Sequence, residues 1–171
     1  MSLTKVPGTM ISPAQSGSVI QTIQTQLTNI QSISASAYSW NNVPGASVTI
    51  TPQFSTSKIL VQYSCMAQTT TPAPYYATYV RITRNGTAVG VGTTGTGILC
   101  GSFGVGFQNT YATSQNQIFL DNPSTTSAVT YQLQVAGENT AIVVGGTYNS
   151  YTTGGGNPNI PTTIIVMEIA G

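Results

Sequence analysis

The clearest pattern in the chain is an alternation of apolar and polar residues between Lys58 and Gln68. Every second position is apolar and predicts one buried face: Ile59, Val61, Tyr63, Cys65 and Ala67. Because successive side chains of a strand point to opposite faces, this segment is predicted to be a half-buried β-strand. Tyr131, Leu133 and Val135 alternate with glutamines in the same way and predict another strand.

Turn residues divide the rest of the chain into short segments. Asn85-Gly86 suits the tip of a hairpin between Tyr76 and Val91, because both residues tolerate a positive φ. Residues 90–106 are predicted to be a glycine-rich loop with a short strand near Ile98-Leu99. A strand is predicted over Gln117–Leu120, and it stops at Asp121-Asn122-Pro123. Residues 139–144 and 147–151 are predicted to form a hairpin around Gly145-Gly146, and a long turn begins at Gly154.

Two segments have distinctive positions in the pattern. Thr162–Ile169 is almost continuously apolar, which predicts a central strand with both faces covered, or with one face on the core and the other on a subunit. Near the start, Ile20, Ile23, Leu27 and Ile30 recur at heptad-like spacing. Ser18–Ile33 is therefore either a short coiled-coil seam or a strand, and its Thr and Gln content favours a strand from Ser18 to about Thr28.

These elements predict an all-β fold, a single-domain antiparallel β-sandwich. Thr, Ile and Val are abundant, and branching at Cβ favours strands over helices. Residues 1–17 have no sustained periodicity and are predicted to form an extended N-terminal arm that lies against another subunit or a partner. Residues 18–171 are predicted to form the β-sandwich domain.

The composition changes the functional picture more than the fold. Only 4% of the 171 residues are charged, there is no histidine, and the net charge is +1. An ordinary domain is about a quarter charged. Most enzyme chemistry and metal binding uses charged residues or histidine, so the sequence argues against an enzyme. A surface with so little charge tends to associate, which favours an assembled state over a monomer covered by hydroxyls and amides.

The same composition argues against other partners. Four basic residues spread along the chain neutralise few phosphates, so nucleic acid is not an expected partner. No apolar run approaches the length of a transmembrane helix, so no membrane is expected either. The first eight residues lack the apolar segment of a signal peptide, which predicts a product that is not secreted by that route.

No catalytic, cofactor-binding or metal-binding residue is predicted. Gly90–Gly95 fits GxGxxG, but residue 115, about where an acidic residue is needed, is Gln. The candidate carboxylates are Asp121, suited to a turn, Glu138, and Glu168, expected to pair with Arg or Lys. Cys65 and Cys100 are expected to be two buried free thiols, with a disulfide as the alternative.

Five tyrosines are the candidates for a recognition surface: Tyr75, Tyr76, Tyr79, Tyr148 and Tyr151. Their rings could stack on sugars, with nearby Asn and Thr bonding to the hydroxyls. The alternative is that they are core or subunit-contact residues, where tyrosine is also common. The sequence therefore leaves the identity of any binding residue open.

Several segments of the chain resemble bacteriophage virion proteins, notably those of cyanophages. The likeness lies in Leu3-Thr4-Lys5-Val6, Gly17–Gln21, Val48–Pro52, Ser57–Val61, Arg81–Thr87, Phe119–Pro123 and Ile165–Gly171. It covers nearly all of the chain from Gly17 onward. The resemblance implies a tail-fibre-like virion structural module, a jelly-roll-like sandwich and a homotrimer. The chain lacks the long shaft of larger members, which puts a complete tail fibre in doubt.

The expected function is therefore that of a non-enzymatic virion structural protein, assembled in the host cytoplasm. The first hypothesis is a trimeric capsid decoration or cement subunit attached to the major capsid protein or tail proteins through residues 1–17. The second is the receptor-binding tip of a tail fibre or spike that recognises a host surface glycan. The third is a depolymerising enzyme, for which no activity is expected.

Overall fold

A computed structural model describes residues 15–70, 75–93, 98–107, 112–138, 141–146 and 159–171. Eleven strands are found in these ranges, and no helix: β1 Val19–Leu27, β2 Gln31–Ile33, β3 Asn41–Ile50, β4 Lys58–Thr69, β5 Tyr75–Arg84, β6 Thr87–Val89, β7 Ser102–Phe107, β8 Thr113–Asp121, β9 Val129–Gly137, β10 Ile142–Val144 and β11 Thr162–Ile169. The predicted all-β class and the single-domain antiparallel β-sandwich are confirmed.

The first sheet is built around β4. One side of β4 pairs along most of its length with β8, and the other side pairs first with β11 and then with β10. Outside them, β1 pairs with β11 and β2 with β10. The near-continuous apolar strand β11 is therefore central, between β1 and β4, as its sequence predicts.

The second sheet is built around β5 and β9. β9 lies between β3 and β5, and the far side of β5 pairs with β7 and then with β6. The two sheets curl into a half-barrel. The core lies between them and contains every inward apolar residue of β4 from Ile59 to Ala67. Tyr131, Leu133 and Val135 of β9 close it from the other side, and none of the three has any exposed surface.

Several predicted elements agree with the structure. The segment near residue 20 is the strand β1 rather than a coiled-coil seam, and its Ile23 and Leu27 pack against the core. The hairpin turns at Asn85-Gly86, with φ of 48° and 89°. Asn85 also accepts a bond from the Thr130 backbone N–H through its side chain, at 2.9 Å.

Other elements differ from the predictions. Ile98 and Leu99 are not in a strand; the strand of that region is β7, which begins at Ser102. The short strand predicted to start at Gln117 begins at Thr113 and is β8. β10 pairs with β2 and β4. Its predicted hairpin partner 147–151, the turn from Gly154 and residues 1–14 of the arm lie outside the described residues.

Candidate functional surfaces

The structure describes the surroundings of one of the five candidate tyrosines. Tyr148 and Tyr151 lie outside the described residues, and Tyr75 and Tyr76 form the first two positions of β5. Tyr79 is half-buried on the outer face of the second sheet. The hydroxyl of Tyr79 donates a hydrogen bond to Glu138 Oε1 at 3.2 Å. Tyr79 is thus a surface residue with a polar partner, and it belongs to a larger group of outward-facing side chains.

That group, which we call the aromatic cluster, consists of Tyr38, Trp40, Tyr79, Arg81 and Phe103. Arg81 follows Tyr79 by two positions, so both side chains point outward from β5. Phe103 is the β7 residue directly opposite Tyr79. The Arg81 guanidinium lies 4.0 Å from the centroid of the Trp40 ring, a cation–π contact. Arg81 therefore contacts Trp40 and shares the outer face of the second sheet with Tyr79 and Phe103.

Amide side chains hold Arg81 from the other side. The register places Asn42 of β3 opposite Gln134 of β9, and Gln134 opposite Arg81. The Arg81 Nε–H donates to Gln134 Oε1 at 2.9 Å, and Gln134 Nε2 donates to Asn42 Oδ1 at 2.8 Å. Arg81 is thus held between the indole ring of Trp40 and the amide of Gln134. These two contacts also set the orientation of the other N–H donors of its guanidinium.

Tyr38 has an unusual backbone. Its φ is +59°, a left-handed conformation that is uncommon for a bulky residue. The Tyr38 N–H donates to the Gly137 carbonyl at the end of β9, at 2.7 Å, and the side chain is 54% exposed. Residues in such conformations cluster at functional sites, because the surrounding structure must hold them there.

The local environment also keeps Tyr79 protonated. Burial, followed by the charge and the hydrogen bond of Glu138, raises the pKa of Tyr79 to about 12. At neutral pH its hydroxyl therefore remains a donor to Glu138. Since Glu138 carries a negative charge and Arg81 a positive one, the surface around the aromatic cluster has both signs and almost no net charge.

A second surface, which we call the apolar face, lies on the outer side of the first sheet. Met167 of β11, Leu60 of β4 and Leu120 of β8 are consecutive cross-strand neighbours. In the next row Ile165 and Ile118 lie on either side of Gln62. Ile118 and Leu120 are 59% and 51% exposed.

Polar side chains surround the apolar face on β1. Thr22 lies opposite Met167, and Gln24 lies opposite Ile165. The single charged side chain that this outer side carries in the described part of the chain is Lys58, which lies opposite Ile169 at one end. The apolar face is thus a patch of five side chains with a polar border that carries one charge, Lys58, at one end.

The carboxylates do not form a shared site. Glu168 was expected to pair with Arg or Lys, and this is wrong: its carboxylate is completely buried and accepts bonds from Gln21 Nε2 at 2.6 Å and the Gln53 N–H at 2.7 Å. Asp121 is not simply a turn residue, since it pairs with Arg84 at 2.8 Å and accepts from the Tyr131 hydroxyl.

The buried carboxylate is stabilised in its charged form. Burial alone would raise the pKa of Glu168, but the hydrogen bonds from Gln21, Gln53 and Phe54 outweigh it and hold that pKa below its usual value. Gln53 and Phe54 lie between β3 and β4, and Gln21 lies in β1. Glu168 therefore joins three parts of the chain, which indicates a structural role.

Both cysteines are free thiols, as expected. Cys65 is buried in the core, and burial raises its pKa to about 12. Cys100 is only half-buried, against the expectation of two buried thiols, and burial raises its pKa as well. No group of three metal-ligating side chains occurs within the described ranges. In the same ranges, no helix has the length and apolar character needed to cross a bilayer.

Sequence reasoning missed most of the aromatic cluster. Trp40, Arg81 and Gln134 are far apart in the chain and meet only through the register of β3, β9 and β5. The available signal was the chain's single tryptophan, next to the polar pair Asn41-Asn42. Comparison of the chain with models of protein families finds no match, and comparison with curated proteins finds none either.

Proposed function

We propose that this protein is a non-enzymatic structural subunit of a bacteriophage virion. It forms a homotrimer that decorates or cements the capsid and attaches through its N-terminal segment to the major capsid protein or to tail proteins. The observation that carries the proposal is the apolar face. Large exposed apolar patches mark interaction sites on proteins, and this one lies on a rigid sheet rather than on loops.

The apolar face can form the centre of a self-association contact. A strand rises about 3.3 Å per residue and strands lie about 4.8 Å apart, so two rows of side chains on three strands cover about 200 Å². The contact between copies must therefore extend over the polar border to reach the roughly 1,200 Å² of buried surface at which specific interfaces begin. Because Lys58 is at the border, copies can meet through the centre without burying an unpaired charge.

Assembly through this face explains the chain's low charge. In a three-fold ring, one side of the apolar face packs against the other side of the neighbouring copy's face, and such a contact needs complementarity of shape and little electrostatic steering. Each added copy buries apolar surface, and binding to the assembled state stabilises the whole by mass action. The proposal thus accounts for a charge-poor surface as a property of a protein that functions inside an assembly.

Sedimentation velocity of the purified full chain tests the self-association. We expect a trimer that dissociates to monomers when Ile118→Lys and Leu120→Lys are introduced together, because both side chains are more than half exposed and their replacement leaves the core intact. Phe54→Lys is the matched control, since Phe54 is 46% exposed and lies outside the apolar face. A monomeric wild type, or a double variant that remains trimeric, contradicts the proposal.

Incorporation into particles tests the attachment. A chain without residues 1–14 keeps Gly17, whose N–H bonds to the Ala170 carbonyl, and Ser18, whose N–H bonds to the Gln15 carbonyl. We therefore expect the sandwich to fold as before and particles to lack the shortened subunit. Normal occupancy of the shortened chain on particles would refute attachment through this segment.

The second candidate function is receptor binding at the tip of a tail fibre or spike. The aromatic cluster favours it, because exposed aromatic rings and fixed polar groups are the usual components of a recognition surface. Purified protein would then block adsorption of the phage to its host cells. A capsid decoration subunit would leave adsorption unchanged, so this one measurement separates the two candidates.

A further inference from the structure

The aromatic cluster combines exposed rings with polar groups that are already held in position. Phe103 is 65% exposed and Tyr38 is 54% exposed. A partner that covers these rings would remove apolar area from water and gain free energy in proportion to that area. We propose that the aromatic cluster is a binding site for a neutral carbohydrate, whose sugar rings pack on these side chains while its hydroxyls bond to the polar groups beside them.

The stacking part of the site comes from the outer face of the second sheet. Phe103 and Tyr79 are opposite one another on neighbouring strands, so their rings lie on the same face of the sheet. The Tyr38 N–H bonds to the carbonyl of Gly137, which directly precedes Glu138, the partner of the Tyr79 hydroxyl. A sugar ring presents C–H groups on one face, and these pack on an aromatic ring as other apolar groups do.

The polar part of the site contains both donors and acceptors. The Arg81 guanidinium offers N–H donors, Asn42 and Gln134 offer amide groups, and Glu138 offers carboxylate oxygens. A sugar hydroxyl both donates and accepts, so a mixed set of this kind is complementary to it. Side chains that are already ordered lose little conformational entropy on binding, and Arg81 is held by Trp40 and Gln134.

The charges of the site favour a neutral ligand. Arg81 and Glu138 contribute one positive and one negative charge, so the field near the cluster is close to balanced. An anionic polymer such as nucleic acid or a sulfated glycan would need several unopposed cations. A second copy of this chain is also disfavoured here, because it would have to remove water from both charged groups.

This site deepens the second candidate function and rests on it only for the origin of the sugar. It does not depend on the apolar face, which is on the other sheet. Binding is measured on the purified chain, and the oligomeric state is measured separately by sedimentation. Sugar binding can therefore be absent while the trimer is observed, and the trimer can be absent while sugar binding is observed.

The chain carries its own reporter for the test. Trp40 is the single tryptophan of the sequence and belongs to the aromatic cluster, so its fluorescence reports on this site alone. The full chain is titrated with neutral oligosaccharides built from glucose, galactose, mannose or N-acetylglucosamine. We expect at least one of them to change the Trp40 emission in a saturable manner. Unchanged emission with all four overturns the proposal, and so does a response to heparin alone.

Two variants place the binding on the cluster. Phe103→Ala removes an exposed ring, and Tyr38→Asn removes another while keeping a residue that tolerates a positive φ. We expect each to weaken the binding about tenfold, the loss typical of a truncated anchor residue. Phe54→Ala, an exposed phenylalanine outside the cluster, is the control and binds as wild type does. Equal affinity of Phe103→Ala and wild type places the sugar elsewhere and overturns the proposal, whether or not Tyr38→Asn folds.

Discussion

At the scale of single residues, Glu168 is the most consequential side chain of the described chain. It is a completely buried carboxylate, and its partners are an amide side chain and backbone N–H groups. A buried charge is tolerated only where hydrogen bonds replace its water, and here Gln21 and Gln53 do so. The low net charge of the chain therefore does not mean that its few charges are unimportant.

Replacing this carboxylate by an amide should destabilise the fold. Glu168→Gln keeps the shape of the side chain but places its NH₂ group against the N–H donors that now bond to the carboxylate. We therefore expect a loss of about 2–3 kcal/mol in the free energy of unfolding. Urea unfolding at neutral pH measures it. Glu138→Gln, a half-buried carboxylate at the surface, is the control and should cost less than about 1 kcal/mol. Equal losses in the two variants would argue against a special role of Glu168.

The stability of the protein should depend on pH through the same residue. The pKa of Glu168 is lower in the folded chain than in the unfolded chain, so the unfolded chain binds the proton more readily. The contribution of Glu168 to the free energy of unfolding is complete above its pKa in the unfolded chain, near 4.3. It is lost as the pH falls through the lower pKa of the folded chain. Urea midpoints should therefore fall on acidification, and fall less in Glu168→Gln. Parallel acid profiles would contradict this.

The two thiols should differ sharply in reactivity. Cys65 is buried with a pKa raised to about 12, while Cys100 is half-buried. Because the thiolate is the reactive form, a thiol reagent at pH 8 should modify Cys100 and leave Cys65 unmodified until the chain is unfolded. Mass spectrometry of peptides from timed reactions measures this. Simultaneous modification of both in the folded protein would show that the core opens readily.

At the scale of elements, the strands that the sequence predicts are those with an uninterrupted pattern. β4 and β9 have an apolar residue at every second position over most of their length, and β11 is almost wholly apolar, because each covers a core on a fixed face. β3 has no such pattern: its pairing with β9 shifts between Asn42 and Ser47, where Pro44 and Gly45 interrupt the strand. β7 contains glycines, which have no side chain to alternate.

The binding surface was less predictable than the fold for a related reason. Arg81 and Gln134 become neighbours through strand register, and register follows from the packing of whole strands rather than from local preference. Tyr79 is predicted because it lies in a run of tyrosines, whereas Phe103 carries no local signal and Trp40 is marked only as the single tryptophan of the chain. A sequence pattern can place a residue on a face, and only pairing shows which residues share that face.

The turn between β5 and β6 gives a direct test at this scale. Gly86 has a φ of +89° and no atom within 4 Å of the position of a Cβ. Gly86→Ala should therefore cost about 1–2 kcal/mol from backbone strain alone. Gly92 has equally open space and no positive φ, so Gly92→Ala is the matched control and should change stability by less than about 0.5 kcal/mol. Thermal or urea unfolding compares them, and equal costs would exclude the strain.

At the scale of the whole molecule, the two outer surfaces have different chemistry. The first sheet presents the apolar face with one charge at its border, and the second sheet presents aromatic rings with a cation, a carboxylate and amides. A sandwich with such a division can use the outer side of one sheet for contacts with other copies of the chain and the outer side of the other sheet for a different partner. The two proposed activities therefore do not compete for the same surface.

Self-association through the apolar face should respond weakly to ionic strength. Few charges are available for salt to screen, so the dissociation constant should change by less than about threefold between low and moderate sodium chloride. Sulfate should strengthen the association, because it favours burial of apolar surface. Sedimentation equilibrium in the two salts measures both effects. Strong weakening by sodium chloride would indicate that ion pairs, rather than the apolar face, hold the assembly.

The position of β11 has a consequence for synthesis on the ribosome. β1 and β4 are made early, yet neither is hydrogen-bonded to the other, and each needs β11 as its neighbour. One edge of β1 and one edge of β4 therefore stay unpaired until residues 162–169 leave the ribosome, when more than half of the chain has already been made. Prematurely terminated products would keep those edges unpaired and would be prone to degradation or aggregation. Only chains translated through residue 169 would then be competent to join an assembly.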